Sequence, residues 1–324
     1  MSVQSALYSE KHAAKANLTL SLLGLTDWSE DSVKALQQKI GATADGWFGP
    51  KSIAKWKAWE RKNGFPHAGP PTPGLEGCVI IDTDPHAPPA GVKVVNHMEE
   101  GGIPADDRDT SPRKHLVTQF VFHRGAEGHR RGENYAQATE RILDARGLST
   151  TFSMDIDGTI YQHFDPAIRR GRHATHHNVQ SDSIDIGGPF SQKRSPEPGQ
   201  KKLTVKMAIG RKNDGKPPLK RSYGTVKCWS LTPAQEEALV AFVPWYCKLR
   251  GIPLTACSDW RTFRVGGIGQ RDPVTNVPGL LAHTQISGPG QRVDGILPLM
   301  VLKDSGAPIH WRSGEEFFDV GAVG

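Results

Sequence analysis

The spacing of apolar residues near the start of the chain predicts a small helical unit. In "DSVKALQQKI", Val33, Leu36 and Ile40 recur three to four residues apart, so they share one helix face. The segment "KSIAKWKAWERK" repeats this spacing with Ile53, Trp56 and Trp59, which have lysines between them, and the turn "ADGWFGP" lies between the two patterns. Together these features predict an all-α domain over residues 1–64.

From about residue 78 the pattern changes to strands that alternate with helices. "CVIID" and "LVTQFVFH" are typical of buried strands, and "TTFSMDIDGTIYQHF" alternates around an Asp-Gly turn as a hairpin does. "NYAQATERILDARG" and "SLTPAQEEALVAFVPWYCKLRG" predict helices. The second has Thr232 as N-cap, Gln235 completing a capping box, and Gly251 as its stop. This alternation indicates an α/β or α+β domain, which we place at residues 78–303.

Three segments lack such periodicity. Residues 65–77 are rich in proline and glycine and predict an extended linker between the two domains. Residues 192–221 hold ten Lys or Arg against two acidic residues and predict a solvated loop. The Gly- and Arg-rich insert 258–280 and the C-terminal tail 304–324 give no assignment.

Composition restricts the class of protein. With 37% hydrophobic and 23% charged residues among 324, the chain can form a core. A net charge of +6 favours anionic partners, but neither zinc-finger spacing nor an RNA-binding aromatic strand is present, so nucleic acid is not expected. The four cysteines show no metal-type spacing and predict free thiols. Without a secretory signal or a run of roughly 18 apolar residues, we expect synthesis in a cytoplasm and release by another protein.

The stretch "LQQKIGATADGWFGPKSIAKW" resembles the helical peptidoglycan-binding repeat of cell-wall hydrolases. That repeat has an LQ-bearing helix, a D-G-x-F-G-P turn, and a Ser or Thr that starts the next helix. The resemblance implies a three-helix module that binds peptidoglycan and assigns ligand contact to Asp45, Trp47 and Phe48. In the alternative interpretation, Phe48 packs in the core and only Trp47 is left to stack on a sugar ring.

Two histidines and one acidic residue, far apart in sequence, suit a metal ion. His123 ends a predicted strand, and "LAHTQISGPGQRVDG" contains His283 and, eleven residues later, Asp294. Two imidazoles and a carboxylate suit Zn²⁺ and leave a fourth position for water. Zinc lowers the pKa of such a water to about 7, which makes it a nucleophile at neutral pH.

The order of five motifs resembles the zinc-dependent N-acetylmuramoyl-L-alanine amidase family, of the phage-lysozyme and peptidoglycan-recognition type. The motifs are "QFVFH", "LSTTFSMDIDGTIYQ", "GRHATHHNVQSDSIDIGG", the "LTPAQ" helix and "AH…QRVDG", over about residues 110 to 300. The resemblance implies a central mixed sheet flanked by helices. It also implies Zn²⁺ on His123, His283 and Asp294.

The same resemblance assigns the auxiliary groups. Asp185 stands where the family has the Glu of "GIE" and would act as base, with a shorter arm. Arg292 replaces a Lys and would stabilise the oxyanion, as a cation that donates a proton poorly. His173 would contact substrate or support a ligand, and Thr150 takes the place of a family Tyr at the substrate. The family's final "DPG" reads "DGI" here.

These resemblances imply a monomeric, two-domain peptidoglycan hydrolase that cuts between N-acetylmuramic acid and L-alanine. A phage endolysin released through a holin fits best, and a secreted interbacterial amidase effector or a virion-associated lysin is the nearest enzyme alternative. The non-enzymatic alternative is a peptidoglycan-recognition protein that has lost catalysis. The basic segment 192–221 could also bind anionic wall or outer-membrane polymers.

Overall fold

The computed structural model describes residues 29–49, 51–52, 55–56, 59, 76–99, 101–106, 109–209, 222–258, 277–286 and 294–313. The chain divides into two compact units. The first comprises Met1–Glu76 with Met98–Gly101, and the second comprises Gly77–His97 with Gly102–Gly324. Within the described residues, no helix is both long and apolar enough to cross a membrane.

The first unit contains helix α1, Glu30–Lys39, which begins after Ser29. The Ser29 side chain accepts a hydrogen bond from the Ser32 amide and so caps the helix. The described residues 51, 52, 55, 56 and 59 are also helical. A three-helix module stays a prediction, because much of residues 1–64 and most of the predicted linker lie outside the described residues.

The second unit contains the remaining elements. The strands are β1 Val79–Ile81, β2 Asp84–His86, β3 Val94–Val95, β4 Ser111–Pro112, β5 Gln119–Arg124, β6 Phe152–Met154, β7 Ile160–Gln162, β8 Arg169–Arg170, β9 Ser181–Ile186, β10 Lys202–Ile209, β11 Ser222–Trp229, β12 Thr255–Cys257, β13 Gly279–Ala282 and β14 His310–Arg312. The helices are α2 Tyr135–Asp144, α3 Pro233–Arg250, α4 His283–Ile286 and α5 Ile296–Asp304, with a 3-10 helix at Thr175–Val179.

Eight strands form one mixed sheet in the order β14-β12-β13-β5-β9-β6-β7-β3. Strands β6 and β7 pair antiparallel, as the predicted hairpin requires, and the other neighbours in this sheet pair parallel. Helix α3 has the predicted capping box of Thr232 and Gln235 and ends at Gly251 in the left-handed conformation. The prediction of a mixed sheet flanked by helices is confirmed for the second unit.

The two faces of this sheet differ in character. Phe120 and Phe122 of β5 are fully buried in the larger core, which also contains Phe242 and Tyr246 of α3 and Leu299 of α5. Side chains alternate along a strand, so the other residues of β5 point to the opposite face. That face carries a smaller apolar cluster. Its members are Val121, Ala174, Cys257, Val277, Leu281 and Ile286. His123 of β5 and its partner Asp185 on β9 lie on the same face as Val121.

Two sequence-based boundaries are corrected by the structure. Within 192–221, the predicted solvated loop contains strand β10, which pairs antiparallel with β11 as a long hairpin. The hairpin packs because Leu203, Val205 and Cys228 share its inner face and join the larger core. Beyond residue 303, α5 ends at Asp304 and β14 joins the edge of the main sheet beside β12. The cysteines are free thiols, as predicted.

Candidate metal centre

His123 is placed by strand β5, close to the point where the strand ends. The residue alternates with Phe122, so its ring lies on the sheet face opposite the larger core, and it is 6% exposed. Its cross-strand partner on β9 is Asp185. Paired residues on neighbouring strands share a sheet face, so both side chains lie on the same side of the sheet.

His283 and Asp294 meet His123 from the next strand along the sheet. Strand β13 pairs with β5 and leads directly into α4, whose first residue is His283. The His283 and His123 rings are 4.4 Å apart between centroids. Nδ1 of His283 lies 2.8 Å from Oδ2 of Asp294. One possible ligand atom from each of the three residues lies within 4.8 Å of the others, and this is the one such group found among the described residues.

Asp294 is held by the residues that follow the two histidines. The Arg124 amide donates to Oδ1 of Asp294 over 2.6 Å. The Thr284 amide and hydroxyl both donate to the Asp294 carbonyl oxygen, each over 2.9 Å. The acid is therefore fixed relative to both imidazoles by backbone groups one residue away from them.

Gly295 permits this close approach. It has φ 77°, and a Cβ atom at this position would lie 1.9 Å from the Phe122 carbonyl oxygen. Only glycine adopts this conformation without a steric penalty. Proline is restricted to a φ near −65°, so the chain's Asp-Gly-Ile cannot follow the backbone path of an Asp-Pro-Gly sequence.

The protonation states of the acid and of His123 suit a metal. Burial, together with the nearby His283 and His173, lowers the pKa of His123 well below its usual range. Burial would raise the pKa of Asp294, but the hydrogen bond from His283 and the charges of His283 and His123 outweigh it and leave that pKa below its ordinary value. Metal ligation requires a neutral imidazole and an ionised carboxylate. Two nitrogens and one oxygen fit zinc with one position left open.

Similar proteins were found among solved structures only. One is LysCS, an endolysin N-acetylmuramoyl-L-alanine amidase from Clostridium intestinale URNW, which is 16% identical to this chain. The match covers 62% of this chain and 86% of LysCS, with a TM-score of 0.34. A chain from the complex of tracheal cytotoxin with the peptidoglycan recognition proteins LCa and LCx is 17% identical to this chain. The match covers 68% of this chain and 98% of the other, with a TM-score of 0.37. Drosophila peptidoglycan recognition protein SA is 13% identical to this chain. The match covers 68% of this chain and 94% of that protein, with a TM-score of 0.36.

No protein-family model matches the chain. No curated protein matches it either. At these identities and TM-scores, the likeness to solved structures assigns no family to the chain.

His173 lies beside the group of three. Its Nδ1 is 3.0 Å from Nε2 of His123, and its Nε2 is 3.1 Å from Oγ of Ser181. Burial, followed by the effects of His283 and Arg113, lowers the pKa of His173 well below its usual range. The residue predicted to be auxiliary therefore contacts a predicted ligand directly, as a neutral ring.

Asp185 is buried, and its Oδ2 has no hydrogen-bond partner among the described residues. Burial and the negative charge of Asp294 raise the pKa of Asp185 to about 8, against a hydrogen bond from Thr150 that lowers it. The protonated form consequently predominates at pH 7. The residue predicted to be the base therefore lies on the same sheet face as His123, and its raised pKa favours the protonated form.

The sequence analysis did not identify Glu140 on helix α2. Both of its carboxyl oxygens are buried without a hydrogen-bond donor among the described residues, and Nδ1 of His163 is 3.8 Å away. Burial, and then the charge of Asp185, raises the pKa of Glu140 to about 8. An acidic residue at helical spacing with Ala136 and Leu143 is the signal that would have revealed it.

Of two other predicted site residues, one lies among the described residues. Thr150 is fully buried, and its hydroxyl lies 2.8 Å from the Ser183 hydroxyl. It is therefore buried beside Asp185, to which it also donates a hydrogen bond, and its assignment to substrate contact stays a prediction. Arg292 lies outside the described residues, so its role in oxyanion stabilisation stays a prediction.

In the first unit, the Asp-Gly-Trp-Phe turn is organised by Gln37. This buried amide donates to Asp45 Oδ1 over 2.7 Å and to the Trp47 carbonyl over 3.0 Å, and it accepts from the Gly46 amide over 2.9 Å. The Trp47 amide also donates to Asp45 Oδ1. These hydrogen bonds, first that from Gln37, lower the pKa of Asp45. The Asp45 carboxylate thus stabilises the turn.

The two aromatic residues of this turn have opposite environments. Phe48 is fully buried with Val33 and Leu36, so its assignment to ligand contact is wrong and the packing alternative is correct. Trp47 is 45% exposed, and its ring lies against Gly49. Of the three residues predicted to contact ligand in this unit, Trp47 has the accessible aromatic surface.

Proposed function

We propose that this protein is a zinc-dependent peptidoglycan amidase that hydrolyses the bond between N-acetylmuramic acid and L-alanine. The observation that carries the proposal is the convergence of His123, His283 and Asp294, whose ligand atoms lie within 4.8 Å of one another. The resemblance of five ordered motifs to the amidase family supports the choice of substrate.

The proposed roles follow from the positions of the side chains. His123, His283 and Asp294 would hold the ion, which polarises a carbonyl group and makes water nucleophilic at neutral pH. Asp185 lies one strand away from His123 and on the same face, where its carboxyl group can exchange a proton during amide cleavage. We assign Arg292 to the oxyanion on the basis of the motif alone.

The first unit would bind the same polymer. The exposed Trp47 ring offers a face for stacking on a sugar, while Gln37 and Asp45 fix the turn that carries it. Attachment to an insoluble substrate raises the local concentration of the catalytic unit without adding contacts at its active site. In this proposal the protein acts as a phage endolysin. Genome neighbours, such as a holin gene or a secretion-system gene, would distinguish an endolysin from an interbacterial effector.

The test is a digest of purified peptidoglycan with products identified by mass spectrometry, together with metal analysis of the protein. We expect stem peptides with a free L-alanine amino group, stoichiometric zinc, and loss of both in His123→Ala and Asp294→Ala. His310→Ala is the matched control, because His310 is an exposed histidine on β14 at the edge of the same sheet. Full hydrolysis by either ligand variant, or by wild-type protein that contains no zinc, would refute the proposal.

A non-catalytic peptidoglycan-recognition protein is the second candidate. The observations that favour it are the substitutions at Thr150 and Asp185, where the amidase motifs have Tyr and Glu. Turbidity of chloroform-treated Gram-negative cells separates the two functions. An enzyme clears the suspension and is inhibited by a chelator, whereas a recognition protein sediments with the wall and leaves the turbidity unchanged.

A further inference from the structure

A chain of hydrogen bonds runs from the His177 carbonyl through Ser181 and His173 to His123. The Ser181 hydroxyl is fully buried and donates to the His177 carbonyl oxygen over 2.6 Å. A carbonyl oxygen can only accept, and a hydroxyl has a single proton. Toward any other neighbour, the Ser181 oxygen must therefore act as acceptor.

His173 transmits this constraint to His123. Its Nε2 lies 3.1 Å from the Ser181 oxygen and must donate to it. A neutral imidazole has one protonated nitrogen, so Nδ1 of His173 is an acceptor. This Nδ1 lies 3.0 Å from Nε2 of His123, which must then donate to it. By the same count, the proton of His123 is on Nε2 and its Nδ1 has a free lone pair.

We propose that Ser181 and His173 are positioning residues that fix the tautomer and ring orientation of His123, so that Nδ1 is the atom it offers to zinc. This inference rests on the proposed function for the identity of the ion. It goes beyond that function in naming the ligating nitrogen and two residues that set it. An imidazole that ligates a metal commonly donates its other N–H to an acceptor, and here a second imidazole is that acceptor.

Two residues of the 3-10 helix, His177 and Asn178, anchor the chain of hydrogen bonds. The side-chain Nε2 of Gln119 donates to the Val277 carbonyl over 2.7 Å. The side-chain Oε1 of Gln119 therefore accepts from Nδ1 of His177, 2.7 Å away. The Asn178 side-chain oxygen accepts from the backbone amides of His173 and Ala174. The carbonyl and the imidazole that flank Ser181 are therefore both held by buried polar contacts.

Four variants separate positioning from ligation and from packing. His173→Leu removes the acceptor for His123, whereas His173→Asn retains an oxygen acceptor near the place of Nδ1. Ser181→Ala removes the hydroxyl acceptor for His173 with little change in volume and leaves the Ser181 backbone, which also accepts from this ring. Ser153→Ala is the matched control, because Ser153 is a fully buried serine whose hydroxyl lies 2.8 Å from a different histidine, His163.

Zinc affinity, measured by competition with a chromogenic chelator, is the first readout. We expect His173→Leu to bind zinc 10- to 100-fold more weakly than wild type, the range usual for loss of a ligand's outer partner. Ser181→Ala should show a smaller loss in the same direction, His173→Asn should recover most of the affinity, and Ser153→Ala should match wild type. Equal and complete loss in His173→Leu and His173→Asn would show that His173 is itself a ligand and would overturn the proposal.

Imidazole ¹⁵N NMR of the zinc-free full-length protein is the second readout and needs no activity. We expect His123 and His173 both to be protonated on Nε2, with a through-hydrogen-bond ¹⁵N–¹⁵N coupling between them that Ser181→Ala weakens. A zinc-binding protein with His123 protonated on Nδ1 refutes the hydrogen-bond chain. The predicted tautomers in a protein that binds no zinc refute the metal centre instead, so the two failures are distinguishable.

Discussion

Replacement of Gly295 by alanine tests whether the acid of the metal site is fixed by close packing against strand β5. Gly295 has φ 77°, and the new Cβ would lie 1.9 Å from the Phe122 carbonyl oxygen. Real Cβ atoms essentially never come closer than 3.0 Å to another heavy atom, so 3.0 − 1.9 = 1.1 Å of movement is needed. Phe122 is fully buried in a strand paired on both sides, so Gly295 must move and carry Asp294 with it.

Two costs add in this variant. The left-handed conformation costs an alanine about 1–2 kcal/mol, and overpacking of a close contact costs about 1–3 kcal/mol more. Gly251→Ala is the matched control, because Gly251 has φ 68° with nothing within 4 Å of its Cβ position. We therefore expect Gly251→Ala to lose about 1–2 kcal/mol of unfolding free energy and Gly295→Ala about 2–5 kcal/mol.

Urea unfolding measures the difference in unfolding free energy between the two variants. Chelator competition measures the difference in their zinc affinity. Movement of Asp294 by about 1 Å should weaken zinc binding roughly 10- to 100-fold in Gly295→Ala and leave it unchanged in Gly251→Ala. If both variants lose the same stability and both keep wild-type zinc affinity, Asp294 is not fixed by this contact.

Three further predictions concern charge, proton binding and the wall. Asp182→Ala removes a fully buried acid that pairs with Arg113 and Arg250, so it should cost about 3–5 kcal/mol of unfolding free energy in urea. The pKa of Glu140 is about 8 in the folded protein and 4.5 ordinarily, so its protonation stabilises the fold fully below pH 4.5 and this contribution is lost as the pH rises through 8. Glu140→Gln should therefore flatten the dependence of unfolding free energy on pH between 5 and 9, by up to roughly 5 kcal/mol, and an unchanged slope would contradict the assigned cause. Trp47→Ala should reduce sedimentation with purified peptidoglycan about 2- to 13-fold while leaving the hydrolysis of soluble fragments unchanged, since one aromatic contact contributes about 0.5–1.5 kcal/mol.

Local sequence rules predicted the elements that carry their own signals. The capping box at Thr232, the left-handed Gly251 and the β6–β7 hairpin appear where the pattern placed them. The alternation that buries Phe120 and Phe122 also places His123 on the other sheet face. These features depend on neighbouring residues, and so they can be predicted from a single sequence.

Features that depend on distant residues were missed or misplaced. Thr150 was assigned by position within a motif, whereas the structure places its hydroxyl beside both Ser183 on another strand and Asp185. Strand β14 joins the sheet through pairing with β12, about fifty residues earlier in the chain, and has no periodic signal of its own. The Ser181–His173–His123 hydrogen bonds likewise join three separate segments, which no local pattern connects.

The separation of the aromatic core from the candidate metal site, on different sides of the sheet, has an evolutionary consequence. The aromatic packing that secures the fold is on one side, and the three metal-site residues are on the other. A lineage could therefore exchange all three for inert side chains and keep an intact scaffold. Loss of catalysis and loss of the fold are separable in such an architecture. A sensor could therefore descend from a hydrolase, or a hydrolase from a sensor, through few substitutions.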